Sequence, residues 1–333
     1  MDNEMPSFQF YNIQKDRAFT ADRCFLCGKI VAGDNSKEHI FPKWLQEEFG
    51  LWNKQLTLLN DTGIPYKSLT IPCCADCNNV HLSEIENHVS STYRQGYKVF
   101  TGIDSYILFL WLSKIFYGLL FKELLLPYDR ANPTGGSILT EEDFERFSMA
   151  HLFLQGARIP IRFQHFVPWS IFIFNSQVSE IQEMNFDFRD SLIDMTFGIR
   201  MGEISVIAVL QDNGAQQEIF REYIAELQGL RIYPIQFGEL CAMTTYKQRL
   251  FNRTPKYIIT ESGDHVEVIA MPLQGLSAKP IYDDWSQEAY SHHLAFHVQV
   301  PRERIYSASD RVMTWLRNED GTLKRMCEDS EFL

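Results

Sequence analysis

Basic residues are scarce in this chain of 333: 31 Lys and Arg stand against 43 Asp and Glu, a net charge of −12. A surface that grips phosphates by bulk charge is excluded, so any contact with nucleic acid has to come from a local site. Glycine (18) and proline (13) do not exceed average usage, which excludes collagen-like, low-complexity and broadly disordered chains. No repeat of about 20–50 residues is visible, which argues against solenoids and propellers. The N-terminal stretch MDNEMPSFQFYNIQKDR lacks an apolar signal core, so a cytoplasmic chain is expected rather than a secreted one. Cysteine is thin after residue 77, where only Cys241 and Cys327 remain. That is a poor disulfide framework for such a length and fits a reducing compartment.

The apolar share, 45%, is enough for one large core or two smaller ones. The acidity is local: the first hundred residues carry 10 basic and 12 acidic side chains, and the remainder carries 21 and 31. One run, Ser105 to Leu126, would reach about 33 Å as a helix and cover a bilayer. Lys114 at its centre would cost roughly 2.5–3.5 kcal/mol in lipid. Lys114, Gly118 and Lys122 recur every fourth residue and read as one wetted stripe. A mostly buried core helix is therefore expected, capped by Asp104, stopped by Pro127 and without membrane association.

Residues 1–22 read as a lead-in, and residues 23–95 hold both cysteine clusters. Leu82, Ile85, Val89 and Tyr93 follow helical spacing, so Cys77 falls at the start of an amphipathic helix. The expected fold class is α+β: a first domain over residues 1–100 and a larger mixed domain over 101–333. In the second, Leu139–Asp143 reads as a helix start, and Leu192–Arg200 with Ile204–Leu210 reads as a hairpin whose second strand is central. Helices are expected over 216–228, with Gly229 as its stop, and over Phe237–Phe251. Strands are expected over His265–Ala270 and Leu294–Val300. The last would leave His293 and His297 on a polar face, which makes His292, His293 and His297 a weak metal motif.

The chemistry lies near the N-terminus. Cys24-Phe-Leu-Cys27 and Cys74-Ala-Asp-Cys77 supply four thiolates, the donor set of a closed tetrahedral zinc site. Cys73 breaks that register and is an alternative ligand to Cys74. The 46 residues between Cys27 and Cys74 exceed common finger spacing, so a segment is inserted, and it carries Ser36-Lys-Glu38-His39-Ile-Phe-Pro42. A bare zinc-binding module without catalysis is the plainer reading of the same cysteines.

Cys-x-x-Cys, then Glu-His-Ile-x-Pro, then Cys-x-x-Cys-Asn resembles the HNH endonuclease family, the zinc-stabilised branch of the ββα-metal (His-Me finger) nucleases, over residues 24–86. The resemblance implies a treble-clef-like ββα-metal domain with a structural zinc on Cys24, Cys27, Cys74 and Cys77. It implies His39 as the general base, a role that suits an imidazole titrating near neutrality. It assigns Glu38 and Asn78 to one Mg²⁺ or Mn²⁺ ion, hard oxygen donors beside a soft thiolate site. Asn60 is its candidate for the residue that orients the base, although Asn60-Asp-Thr-Gly63 reads equally as turn chemistry. Lys37 and Lys43 flank the base and are candidates for phosphate contact. His81 is a candidate supplement to the metal or an exposed helical histidine, His88 shares its face, and Glu86 either anchors the helix or is solvated.

The expected function is thus metal-dependent phosphodiester hydrolysis, on DNA before RNA, with residues 101–333 regulating the enzyme, sensing an activating ligand or binding a protein partner. Nuclease domains fused to a large unrelated domain resemble effectors of bacterial anti-phage defence, an analogy of architecture alone. The alternative is a non-catalytic zinc-binding interaction module.

Overall fold

The chain folds as an α+β protein in two units. The computed structural model describes residues 8–12, 22–31, 37–124, 126–129, 132–137, 141–307 and 309–326. The first unit comprises residues 1–95, 102–164 and 259–268; the second comprises residues 96–101, 165–258 and 269–333. A division at residue 100 therefore does not match the packing, because residues 102–164 fold with the cysteine clusters. Cys327 and the helix start at Leu139–Thr140 lie outside the described residues.

In the first unit the inserted segment runs as β1 (Lys37–His39), α1 (Lys43–Glu48), β2 (Gln55–Thr57), β3 (Gly63–Pro65) and β4 (Thr70–Pro72). β1 and β4 pair antiparallel, with Glu38 opposite Ile71 and His39 opposite Thr70. β2 and β3 form a hairpin closed at Leu58–Thr62. Beyond Cys74 the chain enters a π-helical stretch, Cys77–Leu82, that continues as α2 (Ser83–Tyr93). π-Turns of this kind recur at functional sites.

The long apolar run is α3 (Ser105–Leu124), and Leu126, expected within it, lies outside the helix. It is long and apolar enough to cross a membrane by composition, yet most of it is buried in the protein. Its Lys114–Gly118 stripe is not wetted: Lys114 is only 1% exposed, and a Cβ on Gly118 would come within 3.0 Å of Ile40 Cγ1. The stripe is where the helix receives the end of β1. Further β-pairs (Pro127–Asp129 as β5 and Asn132–Ser137 as β6), α4 (Glu141–Leu154) and β7 (Ile161–Gln164) follow. β7 joins a hairpin of strands Tyr257–Ser262 and His265–Ala270, of which residues 259–268 belong to this unit.

The second unit is built on a five-stranded sheet. It consists of β8 (Ser170–Ser176), β9 (Phe186–Ser191), β10 (Thr196–Met201), β11 (Ile204–Val209) and β12 (Arg231–Ile232), in the order β12-β8-β11-β10-β9. The β10–β11 hairpin turns at Met201–Ile204 as the sequence predicts. β10 starts only at Thr196, because Leu192–Met195 is a turn with Met195 at φ +52°. The apolar β11 is central, and Phe172, Phe174 and Ile207 pack with Phe237, Leu240 and Cys241 in one core cluster.

The helix expected over 216–228 is two short ones, α5 (Ala215–Ile219) and α6 (Arg221–Leu227), meeting at Phe220. Next comes α7 (Pro234–Arg249), which begins at a Tyr233 capping box rather than at Phe237. The strand expected over 294–300 does not form: α8 (Gln287–Val298) runs through residues 294–298. The Ser286 hydroxyl caps its start by accepting from Ala289 N–H, and Gln299 ends it in the left-handed region. The expected face inverts accordingly, with His297 buried and Phe296 70% exposed.

Candidate functional site

Cys24-Phe-Leu-Cys27-Gly28 folds as a tight knuckle: Gly28 N–H donates to Cys24 O at 2.9 Å, and Cys24 N–H donates to Lys29 O at 2.8 Å. Gly28 takes φ +75° there, and a Cβ would strike the Tyr11 ring, so glycine is required. Phe25 N–H donates to Pro72 O at 2.9 Å, fixing the knuckle to the end of β4 just before the second cysteine pair. The Sγ atoms of Cys24, Cys27, Cys74 and Cys77 all lie within 4.8 Å of one another. Four thiols so placed can hold a metal ion such as zinc. Cys74 belongs to that set; Cys73 stands beside it, its Sγ 4.0 Å from that of Cys24. Hydrogen bonds from Cys27, then Cys73 and Cys77, push the Cys24 thiol far below its ordinary value. The same contacts push the Cys27 and Cys77 thiols up, so without a cation the crowded sulfurs cannot all ionise together.

His151 on α4 supports the knuckle from behind. Its Nε2 lies 2.8 Å from Phe25 O, and its ring packs on Tyr117 and Tyr11. Burial lowers its pKa to about 4, so the ring is neutral. Gln155 clamps Tyr11 through both its backbone N–H and C=O.

Glu38 and His39 share β1 and point to different environments. Glu38 is 5% exposed and forms an ion pair with Lys114. The same ammonium lies 2.6 Å from Glu86 Oε1 and donates to the carbonyls of His39, at 2.6 Å, and Ile40, at 3.2 Å. One buried cation thus gathers four oxygens. Burial would lower the Lys114 pKa, but Glu38 and Glu86 outweigh it and the amine stays charged. Burial, with Glu86 beside it, lifts Glu38 to about 7. Two carboxyls facing one ammonium leave room for one extra proton.

This arrangement bears on the expected catalytic ion. Zinc fits the thiols, but Mg²⁺ or Mn²⁺ does not fit at Glu38, whose carboxylate is buried against an ammonium where the divalent cation would have to sit.

His39 is half-buried. Burial first, then the Lys43 and Lys114 charges, lowers its pKa and keeps it neutral. Its Nδ1 is buried without a hydrogen-bond partner among the described residues, and its ring lies 6.0 Å from that of Trp52. Asn78, one residue past Cys77, donates through Nδ2 to Lys37 O at 3.2 Å, tying the metal-side helix to the strand that bears Glu38 and His39. Lys37 and Lys43 are both exposed.

Asn60 is not joined to this group. Its Oδ1 accepts from Thr62 N–H at 3.1 Å and its Nδ2 donates to Pro127 O at 3.3 Å. The turn reading of Asn60 is the one the contacts support, and no hydrogen bond links it to His39. Glu86 anchors α2 rather than being solvated. His81 is half-exposed and His88 exposed, and neither joins a metal-binding cluster among the described residues. The same holds for His292, His293 and His297, now on a helix. Sequence reasoning missed Lys114 as a member of the site. The available signal was a single charge amid an apolar helix, which demands a buried partner.

No family model, curated protein or solved structure matches the chain.

Proposed function

We propose that this protein is a zinc-stabilised nuclease of the HNH type that hydrolyses phosphodiester bonds of nucleic acid, DNA before RNA, with His39 as general base. The observation that carries the reading is His39 itself: an imidazole kept neutral by burial and two lysines, on a strand tied through Asn78 to the helix of a four-thiol cluster. The order strand, strand, helix around those thiols supports it, as does the Glu-His-Ile-x-Pro segment. Zinc on Cys24, Cys27, Cys74 and Cys77 is structural in this reading.

His39 takes the proton of an attacking water at a ring nitrogen, which a neutral ring can do and an imidazolium cannot. Lys114, bonded to the His39 carbonyl, fixes the backbone that carries the base. Lys43, close enough to act on the His39 charge, is an exposed cation available to a phosphate, as is Lys37. Glu38 serves as the buried partner of Lys114 and takes no part in binding a divalent ion.

The test is cleavage of plasmid DNA, single-stranded DNA and RNA by the full chain with Mg²⁺ or Mn²⁺ added, beside His39→Ala of equal zinc content. Loss of about 10²–10⁴-fold in rate is expected for the variant. Equal cleavage by both removes His39 from the mechanism. No cleavage under any condition favours the second reading, a non-catalytic zinc module, to which the sequestered Glu38 carboxylate lends weight.

A further inference from the structure

In the second unit the lane beside β8 is only partly filled. β12 pairs with β8 in parallel at just two positions, Arg231 with Asn175 and Ile232 with Ser176. Ser176 N–H donates toward β11, to Glu203 O, whereas Gln177 N–H donates the other way, to Ile232 O. Backbone groups alternate along an antiparallel strand. The N–H and C=O of Ile171 and Ile173 therefore face the outer lane, where no strand stands beside them among the described residues.

A cleft of about 900 Å³ opens at this edge, lined by Ile171, Phe172, Ile173, Ile224, Pro272 and Leu273 among others. Three consecutive β8 residues line it, so it wraps the strand's edge rather than covering one face. Its volume is that of a site for a ligand of several residues. Phe166 and Ile219, also in the lining, are 49% and 47% exposed, large apolar groups left uncovered. The charged lining residues Glu218 and Arg221 pair with each other. The cleft therefore offers apolar side chains interspersed with the amides of Asn213, Gln217, Gln228 and Gln274, beside four outward backbone groups that no strand meets among the described residues.

We infer that this cleft binds an uncharged, extended peptide segment, which adds to β8 as a strand at Ile171 and Ile173. The apolar lining alone would take any greasy molecule. The outward N–H and C=O groups select a peptide backbone, since strand addition uses main-chain hydrogen bonds for affinity and flanking pockets for specificity.

The experiment uses the full chain. Amide hydrogen exchange of the free protein comes first: the Ile171 and Ile173 amides should exchange at least tenfold faster than those of Phe172 and Phe174, which pair with β11. A fluorescein-labelled hexapeptide alternating valine and threonine is then titrated, beside the same peptide N-methylated at alternate residues. Saturable binding is expected, at least tenfold weaker for the methylated peptide, with Ile171 and Ile173 slowed at least tenfold in the complex. Ala225→Trp, on an exposed helical position lining the cleft, should weaken binding at least tenfold while Phe172 and Phe174 keep their protection. Equal affinity for the two peptides, no saturable binding, or slow exchange at Ile171 and Ile173 in the free chain would each overturn the inference.

Discussion

Lys114 is the residue on which the first unit's polar interior turns. Replacing it by methionine leaves Glu38 and Glu86 facing each other in a buried site without a cation, and a loss of about 3–5 kcal/mol in denaturant unfolding is expected. Lys114→Met combined with Glu38→Leu should recover much of that loss, since the uncompensated buried charge goes with it; a double variant as weak as the single one would contradict this. His151 makes a second prediction at the same scale. Its folded pKa, about 4, lies below the ordinary 6.5, so the unfolded chain binds more protons between those values and the stability His151 supports is lost as pH falls through that window. Against His151→Phe, which forfeits the Phe25 hydrogen bond at every pH, wild type should lose about 2–3 kcal/mol of relative stability between pH 7 and 4.5. A gap that stays constant with pH refutes the assignment. At this scale the four thiols were readable because metal geometry dictates ligand spacing. The partners of Lys114 were not, because Glu38 and Glu86 lie 76 and 28 positions away and only tertiary packing selects them.

Elements were legible where local signals agreed and misread where they competed. The β10–β11 hairpin has alternation, a Gly202 turn and an apolar central strand all pointing one way. Residues 294–300 present alternating apolar side chains that suit a strand, but the start signal lies upstream at Ser286, which satisfies an early N–H of α8 and commits the segment to helix. Ser286→Ala should therefore cost about 1 kcal/mol in chemical denaturation, while Ser286→Asp keeps the cap. Equal stability of the alanine and aspartate variants would mean that packing of Tyr290 and Leu294, not the cap, fixes this helix. In α3 the long apolar run announces length and burial in outline, whereas Lys114 and Gly118, whose spacing suits a wetted stripe, meet the end of β1 at His39 and Ile40.

At the scale of the molecule, a net charge of −12 would confine any contact with nucleic acid to a local site, and packing groups residues 102–164 with the cysteine clusters instead of beyond a boundary at residue 100. Membership of the first unit is decided by contacts that no local pattern announces: Glu123 Oε1 accepting from Leu59 N–H at 2.9 Å, and His151 reaching Phe25 O. Helices α3 and α4 thereby become the support of the cysteine knuckle and the His39 strand. Two units also imply two responses to metal removal. With zinc on Cys24, Cys27, Cys74 and Cys77, metal analysis should find about one zinc per chain, lost in Cys24→Ser/Cys27→Ser and retained in Cys73→Ser, whose thiol stands outside the set. Binding energy of a closed thiolate site is folding energy for the structure around it. Chelation should therefore lower the melting transition of the first unit and leave that of the second, whose core holds no part of the cluster, in place. Calorimetry with and without chelator separates the outcomes: one transition moving supports a structural zinc, whereas two moving together or none moving contradicts it.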